Sequence, residues 1–272
     1  MRHDSAVAPA SARAALKVED LVVTYHLRRR RMIEAVRGVS FDVPAGTMLA
    51  VIGESGSGKS SLVRALCGLT PTSSGRIVAN DVDLTAVPYG RRARAAGAAG
   101  VGIVFQNPMA ALDSRWPVWK SIAEAVPGES TKRLGGLARD NSLTFLDKVG
   151  LPSAVADRRP AELSGGQLQR VTIARALAAR PRVLLYDEVV SALDVSVRNE
   201  ILRLLAEVGR AFDLTSVFVS HDMASVVQLA SSIAVMYRGE VVEHGAAELI
   251  IRNPDNDYTK QLLAAVPQLK VA

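Results

Sequence analysis

Residues Gly53-Glu-Ser-Gly-Ser-Gly58-Lys59-Ser60 set glycines, hydroxyls and a lysine in the spacing G-x-x-x-x-G-K-[ST]. That combination suits phosphate. Glycine has no Cβ to obstruct a backbone wrapped around an anion. The amides so exposed, with the positive end of a following helix dipole, then face the charge. Lys59 is placed to reach the β- and γ-phosphates of a nucleotide, and the Ser60 hydroxyl to ligate Mg2+. Ser55, Gly56, Ser57 and Ser61 complete the expected cradle. A second segment, Arg182-Val-Leu-Leu-Tyr-Asp187-Glu188, is a short apolar run that ends in two carboxylates. Adjacent strands of a parallel sheet would bring its tip beside the glycine-rich turn. Asp187 is then the expected further Mg2+ contact, direct or through water. Glu188, one residue further out, is the expected general base for an attacking water.

These groups need a scaffold, and the surrounding pattern supplies one. Residues 48–53 form an apolar run that ends at Gly, which predicts a buried parallel strand, and 59–69 read as the helix after the turn. Further strands are expected at 18–25, 36–43, 101–105, 183–186 and 216–219. Helices are expected at 165–179 and 195–212. Residues 233–237 and 240–243 flank Arg238-Gly239, a hairpin signal. Strands alternating with helices predict an α/β core with a mostly parallel sheet covered on both faces, preceded by antiparallel strands. Between 107 and 160 the helical pattern is broken by Pro117, Pro127, Gly128, Gly135, Gly136 and Pro152, and this stretch is read as an inserted helical subdomain. The expected organisation is a mobile tail at 1–15, a core at 16–106 and 161–250, the subdomain at 107–160, and a C-terminal tail at 251–272.

Composition narrows the class. The 272 residues are 49% hydrophobic and 4% aromatic, so the core is expected to be aliphatic. One cysteine, Cys67, rules out an intramolecular disulfide framework and is expected to be a small buried apolar residue. The four histidines have no metal-ligand spacing. Net charge is +6 and diffuse. Nucleic acid is not an expected partner. The basic run after His26 admits two readings, a solvated loop or a contact with phosphate or membrane. No apolar run reaches the 18 or so residues that cross a bilayer.

Leu163-Ser164-Gly165-Gly166-Gln167 precedes the Asp-Glu strand and opens a helix. With it, residues 16–267 resemble the ATP-binding-cassette (ABC) ATPases. The resemblance implies that Ser164, Gly165, Gly166 and Gln167 bind the γ-phosphate held by an opposite subunit, so that two subunits sandwich two ATP molecules. It also implies a role for Gln106 at Mg2+ and the attacking water, and for Asp194, in Ser191-Ala-Leu-Asp194, at the dimer interface. His221 matches the switch histidine on the γ-phosphate. Tyr25 matches the aromatic that stacks on adenine, although a plain strand tyrosine reads the same way. The family usually has Pro after the catalytic Glu and a small residue before the Asp. Here Val189-Val190 and Tyr186 stand there, which puts the hydrolysis rate in doubt.

Residues 105–115, and the tail with Asn253-Pro, Tyr258-Thr, Leu262-Leu and Pro267, resemble importers of oligopeptides, dipeptides and nickel. An ordinary capped helix would read like that tail too. The branch implies an ATPase powering uptake of peptides or a related small solute, nickel or a metal chelate among them. It further implies two membrane permease subunits, a second ATPase that is a copy or a different chain, and an extracytoplasmic solute-binding protein. The expected location is peripheral, on the cytoplasmic face of the cell membrane. ABC ATPases that act on DNA or ribosomes carry paired cassettes or a coiled-coil insertion, and neither is visible.

Overall fold

A computed structural model describes residues 13–26, 32–128 and 136–265. Most of the tail at 1–15, the arginines of the basic run and Pro267 lie outside those residues. Two strands open the fold, β1 (Ala14–His26) and β2 (Met32–Pro44), followed by β3 (Met48–Ile52) and helix α1 (Lys59–Leu66). Ala14 and Ala15 thus belong to β1 rather than to a tail. The sequence pattern hides this because Ala15 and Leu16 are both buried and the register shifts between Ala14 and Leu16, so alternation fails at the start of the strand. Next come β4 (Ser74–Ala79), β5 (Val82–Asp83), α2 (Tyr89–Ala98) and β6 (Val101–Val104). Helices α3 (Val118–Ala123), α4 (Gly136–Lys148) and α5 (Gly165–Ala178) precede β7 (Val183–Asp187), α6 (Val195–Ala211) and β8 (Thr215–Val219). The chain then forms α7 (Met223–Leu229), β9 (Ser232–Tyr237), β10 (Glu240–Ala246), α8 (Ala247–Arg252) and α9 (Asp257–Ala264).

One sheet runs β10-β9-β3-β8-β7-β6, parallel except where β10 pairs antiparallel with β9. The other is antiparallel, β2-β1-β4-β5. Every residue of β3, β7 and β8 is buried, as expected of strands covered on both faces. Their side chains alternate between two apolar cores. Ala50, Ile52, Leu184, Tyr186 and Phe218 face one, and Leu49, Val51, Leu185, Val217 and Val219 face the other. Cys67 is buried in the second core, and burial pushes its thiol up to about 12, away from reactivity.

Sheet order also refines the expected placement of β7, which is not adjacent to β3. Strand β8 lies between them, so the exits of β3, β8, β7 and β6 stand in a row. Helix α5 is tied to the preceding helical segments. Its Arg175 donates to the Ser121 carbonyl at 3.1 Å, and Arg170 donates to the Val149 carbonyl at 2.8 Å. Among the described residues no helix is long and apolar enough to cross a membrane.

Candidate nucleotide site

The glycine-rich turn sits between β3 and α1, clasped by neighbours that leave no room for side chains at two of its positions. A Cβ on Gly53 would lie 2.1 Å from the Met236 carbonyl oxygen, and one on Gly58 would lie 2.1 Å from the Ala35 carbonyl oxygen. Both glycines have positive φ, 149° and 106°. Gly239 donates its N–H to the Ser57 carbonyl at 2.9 Å, so the turn of the β9–β10 hairpin buttresses the loop.

Lys59 is folded under this loop and only 4% exposed. Its Nζ donates to the carbonyls of Gly53 and Glu54, both at 2.8 Å, and to Ser57 Oγ at 3.3 Å. Burial lowers the pKa of this ammonium, while the charges of Glu188, Asp187 and Glu54 act the other way. Ser60, on the first turn of α1, donates to Asp187 Oδ1 at 3.0 Å. Asp187 is 3% exposed, and burial raises its carboxyl above the usual range against the Ser60 bond and the charge of Arg64.

The sign of that shift gives a prediction. A carboxyl whose folded-state pKa exceeds its unfolded value costs no stability below the unfolded pKa. It costs stability increasingly as pH rises from the unfolded value toward the folded one, and the cost levels off above it. Asp187→Asn keeps an acceptor for Ser60 and removes the charge. Its Tm should exceed that of the unmodified protein near pH 8, each 1 kcal/mol of relief raising it by about 2–4 °C. The gap should shrink toward about pH 4, near the ordinary carboxylate pKa. Thermal unfolding across that range checks this, and a variant that melts lower near pH 8 contradicts it.

Glu188 follows Asp187 in a left-handed conformation, φ 50°, and its N–H donates to the Val219 carbonyl at 3.1 Å. The path beyond it is set by packing, since Val189 and Val190 are 2% and 1% exposed. Gln106, just past β6, donates from Nε2 to Glu188 Oε2 at 3.2 Å. His221, just past β8, brings Nδ1 to 3.6 Å from the same oxygen. Three strand exits therefore converge on one carboxylate at the edge of a cleft of about 360 Å³. Ser55, Gly56, Gly58, Lys59, Ser60 and Ser61 line the cleft with Ala35, Gln106 and Glu188. Tyr25, at the end of β1, is half-buried and donates its hydroxyl to Ser61 Oγ at 3.2 Å, beside this cleft.

The Ser164 helix start is elsewhere. Ser164 caps α5, accepting from the Gln167 N–H at 3.3 Å, while the Gln167 side chain accepts from the Ser164 N–H at 3.2 Å. A Cβ on Gly166 would meet Val197 at 2.7 Å, so this tip rests against the start of α6, which Asp194 caps by accepting from the Val197 N–H at 3.0 Å. Ser164, Gly165 and Asp194 are exposed, and none lines the cleft. Sequence reading missed one neighbour of the loop. The N–H of Glu54 donates to the Tyr258 hydroxyl at 3.1 Å. No local signal could announce a contact 204 residues apart.

The parallel-sheet core and its glycine-rich turn define a phosphate-loop nucleotide-binding fold. Residues 36–191 match the family described as ABC transporter, and the chain belongs to that family. The oligopeptide transport ATP-binding protein OppD of Mycobacterium tuberculosis is 42% identical over 264 residues, covering 94% of this chain and 42% of that protein. The glutathione import ATP-binding protein GsiA of Escherichia coli K12 is 41% identical over 263 residues, covering 93% and 41%. The chain thus spans less than half the length of these relatives. Among solved structures, the dimeric bacterial ABC transporter cassette MJ0796 superposes with a TM-score of 0.75 at 26% identity, covering 85% of this chain and 98% of that one. The ADP conformation of the cassette MJ1267 shares the fold, with a TM-score of 0.77 at 24% identity, covering 93% and 100%.

Proposed function

We propose that the chain is the ATP-binding and ATP-hydrolysing subunit of an ABC importer that powers uptake of peptides or a related small solute through separate permease subunits. The observation that carries the reading is the meeting of Lys59, Ser60, Asp187, Glu188, Gln106 and His221 at the exits of neighbouring strands. The names of OppD and GsiA support the import direction and the peptide class. A nickel or metal-chelate cargo belongs to the same branch.

In this reading the amides of the 53–58 loop and Lys59 take the triphosphate, and Tyr25 stacks on the adenine. A hydroxyl and a buried carboxylate in mutual contact are hard oxygen donors that fit Mg2+. Ser60, Asp187 and Gln106 would hold it, and its contribution is to neutralise charge on the phosphate oxygens. Glu188 accepts the proton of the attacking water, and His221 contacts the γ-phosphate beside it. The exposed Ser164 and Gly165 and the half-buried Gly166 and Gln167, with Asp194, complete the nucleotide site of a second ATPase subunit, a copy or a different chain. Segments 16–106 and 161–250 are the ATPase core, and 251–272 is the branch-specific tail. The helical subdomain at 107–160 and the loop at Gln106 pass nucleotide-driven closure to two permease subunits. An extracytoplasmic binding protein delivers the solute, and the subunit works at the cytoplasmic face of the membrane.

Co-purification with the permease pair and reconstitution into liposomes tests this. ATP-dependent accumulation of a labelled oligopeptide should vanish in Lys59→Ala. An ATPase that associates with no permease and is stimulated by DNA or ribosomes would refute the transport reading.

A further inference from the structure

The phosphate loop has a third support that none of the roles above requires. Glu54, the second residue of the loop, donates its backbone N–H to Tyr258 Oη at 3.1 Å, from the first turn of α9. The Tyr258 ring packs on Tyr237 with centroids 4.3 Å apart and planes 37° from parallel, and the Arg238 guanidinium lies 5.0 Å from the Tyr237 centroid. Such a stack fixes the hydroxyl in place with few rotatable bonds. The same hairpin touches the loop directly, through the Met236 carbonyl against Gly53 and the Gly239 N–H on Ser57. The start of α9 is held as well. The Glu243 carboxylate accepts from the N–H groups of Asp255 at 2.8 Å and Asn256 at 3.3 Å, and Asn256 Oδ1 accepts from the Tyr258 N–H at 2.9 Å. Burial raises the Tyr258 phenol above its ordinary range, so at neutral pH the oxygen that meets the amide belongs to a neutral hydroxyl.

We infer that Tyr258 is a positioning residue for the phosphate loop, and that docking of α9 and nucleotide binding are thereby coupled. The inference rests on the nucleotide site proposed above. Without the hydroxyl the Glu54 amide loses its protein partner, and the first turn of the loop keeps its own Ser57 N–H bond to the Glu54 carbonyl, the hairpin and Lys59. Linkage makes the effect mutual. Whatever α9 contributes to nucleotide affinity, bound nucleotide returns as tighter docking of α9.

The test uses the full chain and a fluorescent ATP analogue. Tyr258→Phe keeps the ring stack and removes only the hydroxyl, so its Kd should rise about threefold to tenfold, the range for one neutral hydrogen bond. The KM for ATP should rise by a similar factor with kcat little changed. Amide hydrogen exchange across residues 257–264 should slow when the analogue binds, and that slowing should be lost in Tyr258→Phe. Glu243→Ala, which frees the start of α9 without touching the loop, should weaken binding in the same direction. Unchanged affinity and unchanged nucleotide-dependent protection in Tyr258→Phe, with Lys59→Ala still losing binding, would overturn the role of Tyr258 and leave the nucleotide site standing. Binding that is equally intact in Lys59→Ala would remove the nucleotide site itself, and the coupling with it.

Discussion

Glu188→Gln should bind ATP as the unmodified chain does and hydrolyse it about 10²–10⁴-fold more slowly, the usual worth of a positioned general base. Three observations make the substitution informative. Glutamine keeps an oxygen that can accept from Gln106 Nε2, at 3.2 Å in the present structure. The backbone of the site is anchored independently, by the Glu188 N–H on the Val219 carbonyl and by the burial of Val189 and Val190. His221 stays across the gap, 3.6 Å from the replaced oxygen. What is lost is chiefly the capacity to take a proton. Single-turnover hydrolysis of labelled ATP, beside a direct binding measurement, separates the two effects. Equal turnover in variant and parent would mean that this carboxylate is not the base. It would also favour the reading, opened by Val189 where the family resemblance implies Pro, that this subunit binds more than it hydrolyses.

Gly58→Ala should weaken nucleotide binding by roughly tenfold to a hundredfold, the worth of one hydrogen bond to a charged group. A methyl there would lie 2.1 Å from the Ala35 carbonyl on a backbone with φ 106°, a region alanine avoids. Neither partner can yield cheaply. Ala35 belongs to β2, paired along its length with β1, and Gly58 immediately precedes Lys59 at the start of α1. The loop must therefore lift from β2, and its amides leave the positions from which they face an anion. Gly56→Ala is the control, since a Cβ there meets nothing within 4 Å and only the strain of φ 84° is added. Titration with ATP should rank the affinities parent, Gly56→Ala, Gly58→Ala. An affinity for Gly58→Ala equal to the parent's would mean that the crowding against Ala35 does not govern the cradle.

Much of this site was readable before any coordinates, for a physical reason. Strands β3, β7 and β8 are covered on both faces, so each is written mainly in apolar residues, with Thr215 and Ser216 opening β8, and the residues that follow each run mark where the chain emerges. Gly53, Glu188 and His221 are such residues, and Asp187 closes its strand. Strands β4 and β5 and helix α2 were not legible. Three exposed residues open β4, β5 has only two residues, and α2 buries just Arg92 and Ala96, so no period stands out. Where β7 sits relative to β3 was equally hidden, since strand order depends on crossovers and not on local pattern. The aromatic contact between α9 and the loop is the clearest case of what a linear reading lacks. Tyr258 stands out in the sequence only as part of the tail's resemblance, and nothing there pairs it with Glu54.

The alternation of β3, β7 and β8 between two apolar compartments also works as an error check on assembly. Advance any one of these strands by a single residue, about 3.3 Å, and every side chain on it enters the wrong compartment. Phe218 would be forced into space shaped for Val217 or Val219. The same slip would carry the polar tip of that strand out of reach of its counterparts. A misaligned molecule therefore cannot be a stable one with a faulty engine. Mistakes that would spoil the chemistry are expelled first by the oil beneath it.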